Sequence, residues 1–267
     1  MGINLIGIDL KARLFDAVKD GIRVYEEECG KDTRFGEPLL AFCNTSEPIF
    51  DMFYDNNLCK LPRKIYNPAR AIIIFFLPYT DDVVASNKEG KEPSPKWIQA
   101  YNDSTWAIIK VHASITKELA RFGRLASLCN VPVDWDDTKC GPEWNFKIAA
   151  YVAGMGEFGP AGCIMTEKGP AGRFGAILTD VNLVPERDFG FGHTESRGNT
   201  PELYEEFRKY MKKSCYEGPC SQALIDACPG YAISEDGIDK TKCQEYCKRF
   251  SHNVPTPDIC GKCYFVK

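Results

Sequence analysis

Near the start of the chain, apolar residues return at mostly three- and four-residue intervals, at Leu10, Leu14, Phe15, Val18, Ile22 and Val24, and the pattern stops at Gly30. That period predicts an amphipathic helix over residues 5–29 with its apolar stripe turned to a core. Residues 31–69 mix Pro, Asn and Asp with isolated apolar positions and predict irregular covering structure. The unbroken run AIIIFFL at 71–77, closed by Pro78, predicts a central strand buried on both faces. After the polar stretch KEGKEPSPK, Trp97, Ile98, Tyr101, Trp106, Ile109, Val111, Ile115 and Leu119 recur at near-helical spacing. They predict a helix over 96–122 that ends at Gly123. Residues 125–131 and 176–180 predict two further strands, and 144–155 a helix that runs into glycine-rich sequence. Strands alternating with long helices predict an α/β or α+β architecture. Residues 184–199 are charged and turn-rich, which predicts a boundary between a domain at 1–199 and a smaller one at 200–267.

Composition narrows this picture without redrawing it. A chain of 267 residues, 44% apolar and 26% charged, can bury one large core, or one core with a satellite. The opening MGINLIGIDLKARLF lacks the basic start, apolar run and small-residue cleavage site of an export signal. No apolar run approaches the roughly eighteen residues of a membrane span, so a cytoplasmic protein with no membrane partner is expected. The formal charge of −4 argues against nucleic acid held by general electrostatics, though not against a local basic patch.

The thirteen cysteines change the picture most. Six are spread singly over the first 163 residues, while Cys215, Cys220, Cys228, Cys243, Cys247, Cys260 and Cys263 crowd the end of the chain. A secreted disulfide scaffold would be shorter, signal-bearing and evenly stapled, so buried reduced thiols plus one metal region are expected. Cys228 is followed by Pro229, and Cys260 and Cys263 form a C-x2-C; both are local features of iron–sulfur ligation. A zinc site could instead use Cys243-x3-Cys247 with Cys260-x2-Cys263, but Cys215, Cys220 and the Cys-Pro pair would then have no role. Iron–sulfur accounts for more of the thiols.

Two glycine clusters precede this region, Gly154, Gly156, Gly159 and Gly162, then Gly169, Gly172 and Gly175. A pyrophosphate-binding loop should follow a strand and open a helix, whereas these glycines follow a predicted helix. Spacing alone therefore favours a helix end and hairpin turns, with close backbone approach to a bulky ligand as the other use of glycine.

Taken in order, residues 149–159 (AAYVAGMGEFG), 172–175 (GRFG) with 178–180 (LTD), 225–229 (IDACP) and 260–263 (CGKC) resemble the epoxyqueuosine reductases, cousins of the reductive dehalogenases. The resemblance runs from about residue 70 onward and is strongest over 144–180 and 225–263. It implies a cobalamin-binding α/β core related to the nitroreductase fold, followed by a ferredoxin-like iron–sulfur module. It implies a reductase in which cluster electrons take cobalt to Co(I), fed by an external donor such as ferredoxin or flavodoxin and acting on a modified tRNA base. The residues implied to lie against the corrin are Gly154, Met155, Gly156, Phe158, Gly159, Gly172, Phe174 and Gly175.

The family's cysteine pattern maps in part. Cys228, Cys243, Cys260 and Cys263 fall on the positions that form one complete [4Fe–4S] set. The remaining positions fall on Gly218, Ser221, Leu224 and Lys267, so a second cluster would need Cys215, Cys220, Cys247 and an outside ligand. The family's proton-donating aspartate aligns near Cys140, which makes Asp137, Cys140 and Glu143 the candidates, with Asp136 beside them; a solvated acidic loop is the other reading of this stretch. Trp144 and Lys147, three apart, share a helical face that could look toward substrate. His112, His193 and His252 read as structural, because the resemblance implies base-off cobalamin without a protein ligand. Two other functions fit the same residues: a non-catalytic corrinoid-binding or electron-transfer protein, and a zinc-stabilised module.

Overall fold

A computed structural model describes residues 5–55, 58–129, 135–136, 141–142, 144–184, 205, 209, 220–251 and 259–266. The first helix, α1 (Leu5–Glu28), buries Leu10, Leu14 and Val18 along α5 (Pro95–Arg121). Both helices end as their sequences predict, before Gly30 and Gly123, which take left-handed φ of 58° and 65°. At the start of α5 the Ser94 side chain accepts a hydrogen bond from the Trp97 N–H, beside Pro95 in the first turn.

The sheet is built around β2 (Ala71–Pro78), every residue of which is buried. It pairs antiparallel with β1 (Leu39–Asn44) on one side, Leu39 opposite Phe76. On the other side it pairs antiparallel with β8 (Gly172–Thr179), Ala71 opposite Thr179. A short β3 (Ala126–Leu128) adds to β8, giving the order β1-β2-β8-β3. Alternation along β2 separates two cores. Ile72, Ile74 and Phe76 face one with α6 (Phe146–Val152), and Ala71, Ile73, Phe75 and Leu77 face the other with α1 and α5. Helices therefore cover both faces, and the expected mixed α/β class holds.

Residues 31–69 depart from the expectation of irregular structure. They hold β1, then α2 (Pro48–Asp55) and α3 (Pro62–Ile65). The two prolines sit at the first helical position, where a missing N–H costs nothing, so here they open helices rather than break them. The third strand also starts four residues earlier than 176, so Gly172 and Gly175 lie inside it. A Cβ on Gly175 would come within 2.2 Å of the Phe75 ring, so glycine is what lets that ring lie across its pairing partner.

Between β3 and β8 lie the two-residue strands β4 (Trp135–Asp136) and β5 (Gly141–Pro142), then α6, then the hairpin of β6 (Gly156–Phe158) and β7 (Ile164–Thr166). Beyond β8 the described chain resumes with helix Gln222–Ala227, a small hairpin (Ile233–Ser234 with Gly237–Ile238), helix Lys240–Lys248 and a 3-10 turn at Lys262–Phe265. The expected domain boundary near residue 199 lies outside the described residues, as do His193 and His252. No described helix is long and apolar enough to cross a membrane.

His112 on α5 stands edge-on to Phe75 with ring centroids 5.4 Å apart, and its Nε2 is buried without a partner among the described residues. Burial holds its pKa down to about 4, against a usual 6.5. Below pH 6.5 the unfolded chain takes up this proton first, so His112 contributes stability above 6.5 that is lost as pH falls toward 4. Between pH 7 and 4.5 the wild type is expected to lose about 2 kcal/mol more than His112→Leu, measured by urea unfolding.

Candidate functional site

The glycine-rich segment turns out to be the exit of α6 and the β6–β7 hairpin. Gly154 leaves the helix at φ 72°, and Gly162 turns the hairpin at φ 70°. Gly156 lies against the Met165 carbonyl, where a Cβ would come within 2.4 Å, and Gly159 lies against the Cys163 sulfur. Met155 and Phe158 point into the core beneath the sheet, and Phe174 packs its ring on Phe76 at 4.6 Å. Each of these residues thus has a packing role in the fold. Trp144 is buried just before α6, and its Nε1 has no acceptor among the described residues. Asp137, Cys140 and Glu143 lie outside the described residues.

The cysteine-rich end brings separate segments together. Helix Gln222–Ala227 is capped by Ser221, whose side chain accepts from the Leu224 N–H, and it ends on Cys228. A tight turn then points the Ala232 N–H at the Cys228 sulfur, 3.3 Å away. Tyr231 makes that turn at a left-handed φ of 52° and is 86% exposed, a backbone state that costs a non-glycine residue about 1 kcal/mol or more. Asp239 caps helix Lys240–Lys248, which carries Cys243 and Cys247 one turn apart. Gly261, at φ 60°, turns the chain between Cys260 and Cys263.

Cys260 lies within reach of the charges of Cys243 and Cys228, and Cys263 within reach of those of Cys260 and Cys243. Burial first, then the like charges of Cys243 and Cys228, pushes the Cys260 thiol up to about 11. Burial pushes Cys263 well above its ordinary value, with Cys163, Cys260 and Cys243 adding to it. Cys247 is held protonated by its hydrogen bond with Cys243 and by burial. Crowded thiols of this kind become thiolates when a cation offsets their repulsion, which is the condition of metal ligation. Ala161, Leu224, Ile225, Ile233, Ile238 and Val266 form an apolar shell around Cys220, Cys228 and Cys263. Among the described residues, no group of three or more His, Cys, Asp or Glu side chains is gathered closely enough to hold a single metal ion.

Cys220 is disulfide-bonded, a departure from the reduced thiols expected of this region, and the other described cysteines are free. Cys215 lies outside the described residues. A separate trio, Cys43, Cys59 and Cys129, meets inside the core beneath the sheet, where burial pushes Cys59 up to about 12. Sequence spacing gave no sign of that trio.

The two motif regions touch. Ala161, at the tip of the glycine-rich hairpin, packs in the same apolar cluster as Cys228 and Cys263. Lys147 of α6 acts electrostatically on Cys163 in the hairpin and on Cys263 in the cysteine group, holding both thiols lower than burial alone would. The sequence pointed to Lys147 by its helical face, but it offered nothing to single out Cys163.

The cysteine group is also fastened to the start of α5 and to the helix before it, Asp81–Lys88. Trp97 Nε1 donates to the Ile259 carbonyl at 2.7 Å, and Asn87 Nδ2 donates to the Cys260 carbonyl at 3.0 Å. Tyr79, Tyr264 and Phe265 surround the Trp97 ring, and Gly261 lies so close that a Cβ would come within 2.3 Å of it. These attachments join residues more than 150 positions apart, which no local pattern announces.

No family model matches the chain. Tetrachloroethene reductive dehalogenases of Desulfitobacterium hafniense and Dehalobacter restrictus are 31% identical to it over 111 residues, covering 41% of this chain and 16% of theirs. A crystal structure of epoxyqueuosine reductase with an epoxyqueuosine-modified tRNA stem loop superposes on 97% of this chain at a TM-score of 0.51 and 12% identity. This chain spans 64% of that protein, less than two thirds of its length. The chain thus has the mixed α/β fold seen in epoxyqueuosine reductase and a stretch of sequence similar to the reductive dehalogenases.

Proposed function

We propose that the chain is a cobalamin- and iron–sulfur-dependent reductase of the epoxyqueuosine reductase type. Residues 1–199 form a nitroreductase-like, corrin-binding core and residues 200–267 a ferredoxin-like module. The observation that carries this reading is the junction of the two motif regions, where Ala161 packs among the cysteines and Lys147 acts on thiols of both.

Cys228, Cys243, Cys260 and Cys263 hold one [4Fe–4S] cluster, which when bound supplies single electrons. The Ala232 N–H at the Cys228 sulfur fits this use, because hydrogen bonds to ligand sulfurs stabilise their charge. Cobalamin held by α6 and the β6–β7 hairpin would supply the reducing chemistry of cobalt. The Trp144 N–H, buried without an acceptor among the described residues, is an orphaned donor at the start of α6, beside where a ligand rich in amide oxygens such as a corrin would lie. A second cluster on Cys215, Cys220 and Cys247 would need the Cys220 disulfide opened and a ligand from outside, so the chain holds one.

The chain's own residues exclude water from the thiols through the apolar shell, and Lys147 offsets thiolate charge at the junction. Asp137, Cys140 or Glu143 delivers the proton to substrate. Electrons come from a donor such as ferredoxin or flavodoxin. The substrate is a modified base of a tRNA, in keeping with the stem loop in the similar solved structure.

Anaerobic reconstitution with iron, sulfide and cobalamin, followed by reduced flavodoxin and an epoxyqueuosine-bearing stem loop, tests the reading. Conversion to queuosine is the expected result. Loading of both groups without conversion would identify a corrinoid-binding or electron-transfer protein, and failure to bind cobalamin would contradict the corrin site.

A further inference from the structure

Lys262 lies between two of the four thiols in sequence, yet its side chain is only 8% exposed. Its Nζ donates to three backbone carbonyls, those of Asn87 at 2.8 Å, Glu89 at 2.6 Å and Gly90 at 2.9 Å. An ammonium has three N–H donors, so all of them are used. The acceptors lie at the C-terminal end of α4 (Asp81–Lys88) and just beyond it, where helix carbonyls lack partners and the dipole favours a cation. Asn87 closes the arrangement, because its side chain also donates to the Cys260 carbonyl and accepts from the Ser94 N–H. A buried lysine is costly, and this one is held by backbone dipoles rather than by a carboxylate, with its charge acting on the Cys260 thiol.

We propose that Lys262 is a positioning residue with two effects: it locks the Cys260–Cys263 turn onto α4, and its fixed charge raises the reduction potential of the cluster those thiols hold. The inference rests on the cluster reading above. One-electron reduction adds negative charge within the thiolate shell, and an adjacent immobile cation stabilises the reduced form more than the oxidised one. The electron comes from the low-potential donor, and no bond is made or broken.

The test compares wild type with Lys262→Gln, Lys262→Met and Lys262→Arg after anaerobic reconstitution. Iron and sulfide are counted, the midpoint potential is followed by electron paramagnetic resonance during dithionite titration, and the unloaded proteins are melted. Gln retains hydrogen-bond donors without the charge, and Arg retains the charge. Gln and Met are expected to lower the ratio of reduced to oxidised cluster at fixed potential at least tenfold, which is 59 mV for a one-electron couple. Arg is expected to stay closer to wild type than either, and Met to melt lowest when unloaded because three carbonyls lose their donor. A loaded Gln variant with the wild-type potential would overturn the proposal alone, even if Met fails to fold. A wild type that takes up no iron and sulfide would overturn the cluster reading, and this proposal with it.

Discussion

Serine in place of Cys228, Cys243, Cys260 or Cys263 is expected to abolish the cluster, dropping bound iron from about four per chain to well under one. Each substitution removes one corner of a four-thiolate shell, and a hydroxyl at serine's ordinary pKa does not replace a thiolate. The controls are set by the second group of thiols. Cys43 and Cys59 are buried among Ile49, Phe53 and Trp144, so Ser there is expected to keep the iron while costing about 1–3 kcal/mol, because a hydroxyl enters an apolar core. Cys29, half-buried at the end of α1, is expected to change neither quantity. Iron counting beside urea unfolding separates the two groups. Loss of iron from Cys59→Ser with retention in Cys260→Ser would move the cluster to the sheet core.

Removing the Trp97 side chain is expected to have the largest effect on stability. The ring is fully buried, meets Tyr79 edge-on at 4.9 Å and Phe265 at 5.7 Å, and donates to the Ile259 carbonyl. Trp97→Ala should therefore cost about 4 kcal/mol by the transfer and cavity terms together. It should also release the cysteine segment first, because Trp97 joins that segment to α5. Limited proteolysis is expected to cut the variant within the last forty or so residues before the sheet core melts. Trp97→Phe keeps the aromatic contacts and loses one buried hydrogen bond, so about 1 kcal/mol is expected, with no early cleavage. Equal cleavage of both variants would show that the ring does not anchor the segment.

These two sets of residues show what the sequence could carry. The periodic stripes of α1 and α5 and the seven-residue apolar run of β2 announce themselves, because each is a local pattern longer than the noise around it. In residues 31–69 the prolines of α2 and α3 looked like breakers, and only their position in the first turn shows otherwise. The family resemblance, not spacing alone, singled out Cys228, Cys243, Cys260 and Cys263; in the fold Cys260 feels the charges of Cys243 and Cys228, and Cys263 those of Cys163, Cys260 and Cys243. The glycines were ambiguous for a physical reason: a turn, a close backbone approach and a ligand cradle all ask for the same missing side chain. What spacing could not convey is how the pieces meet. Lys262 reads as a surface charge until the carbonyls of α4 are placed around it, and Cys163 reads as a stray thiol until Lys147 and Cys263 stand beside it.

The central claim is a cluster held by Cys228, Cys243, Cys260 and Cys263, and counting iron and acid-labile sulfide in the anaerobically reconstituted chain tests it most directly. The expected result is a brown protein with broad absorption near about 400 nm, about four irons and four sulfides per chain, and the resonance of one reduced [4Fe–4S] centre after dithionite. A colourless chain that holds zinc, or iron without sulfide, would contradict it.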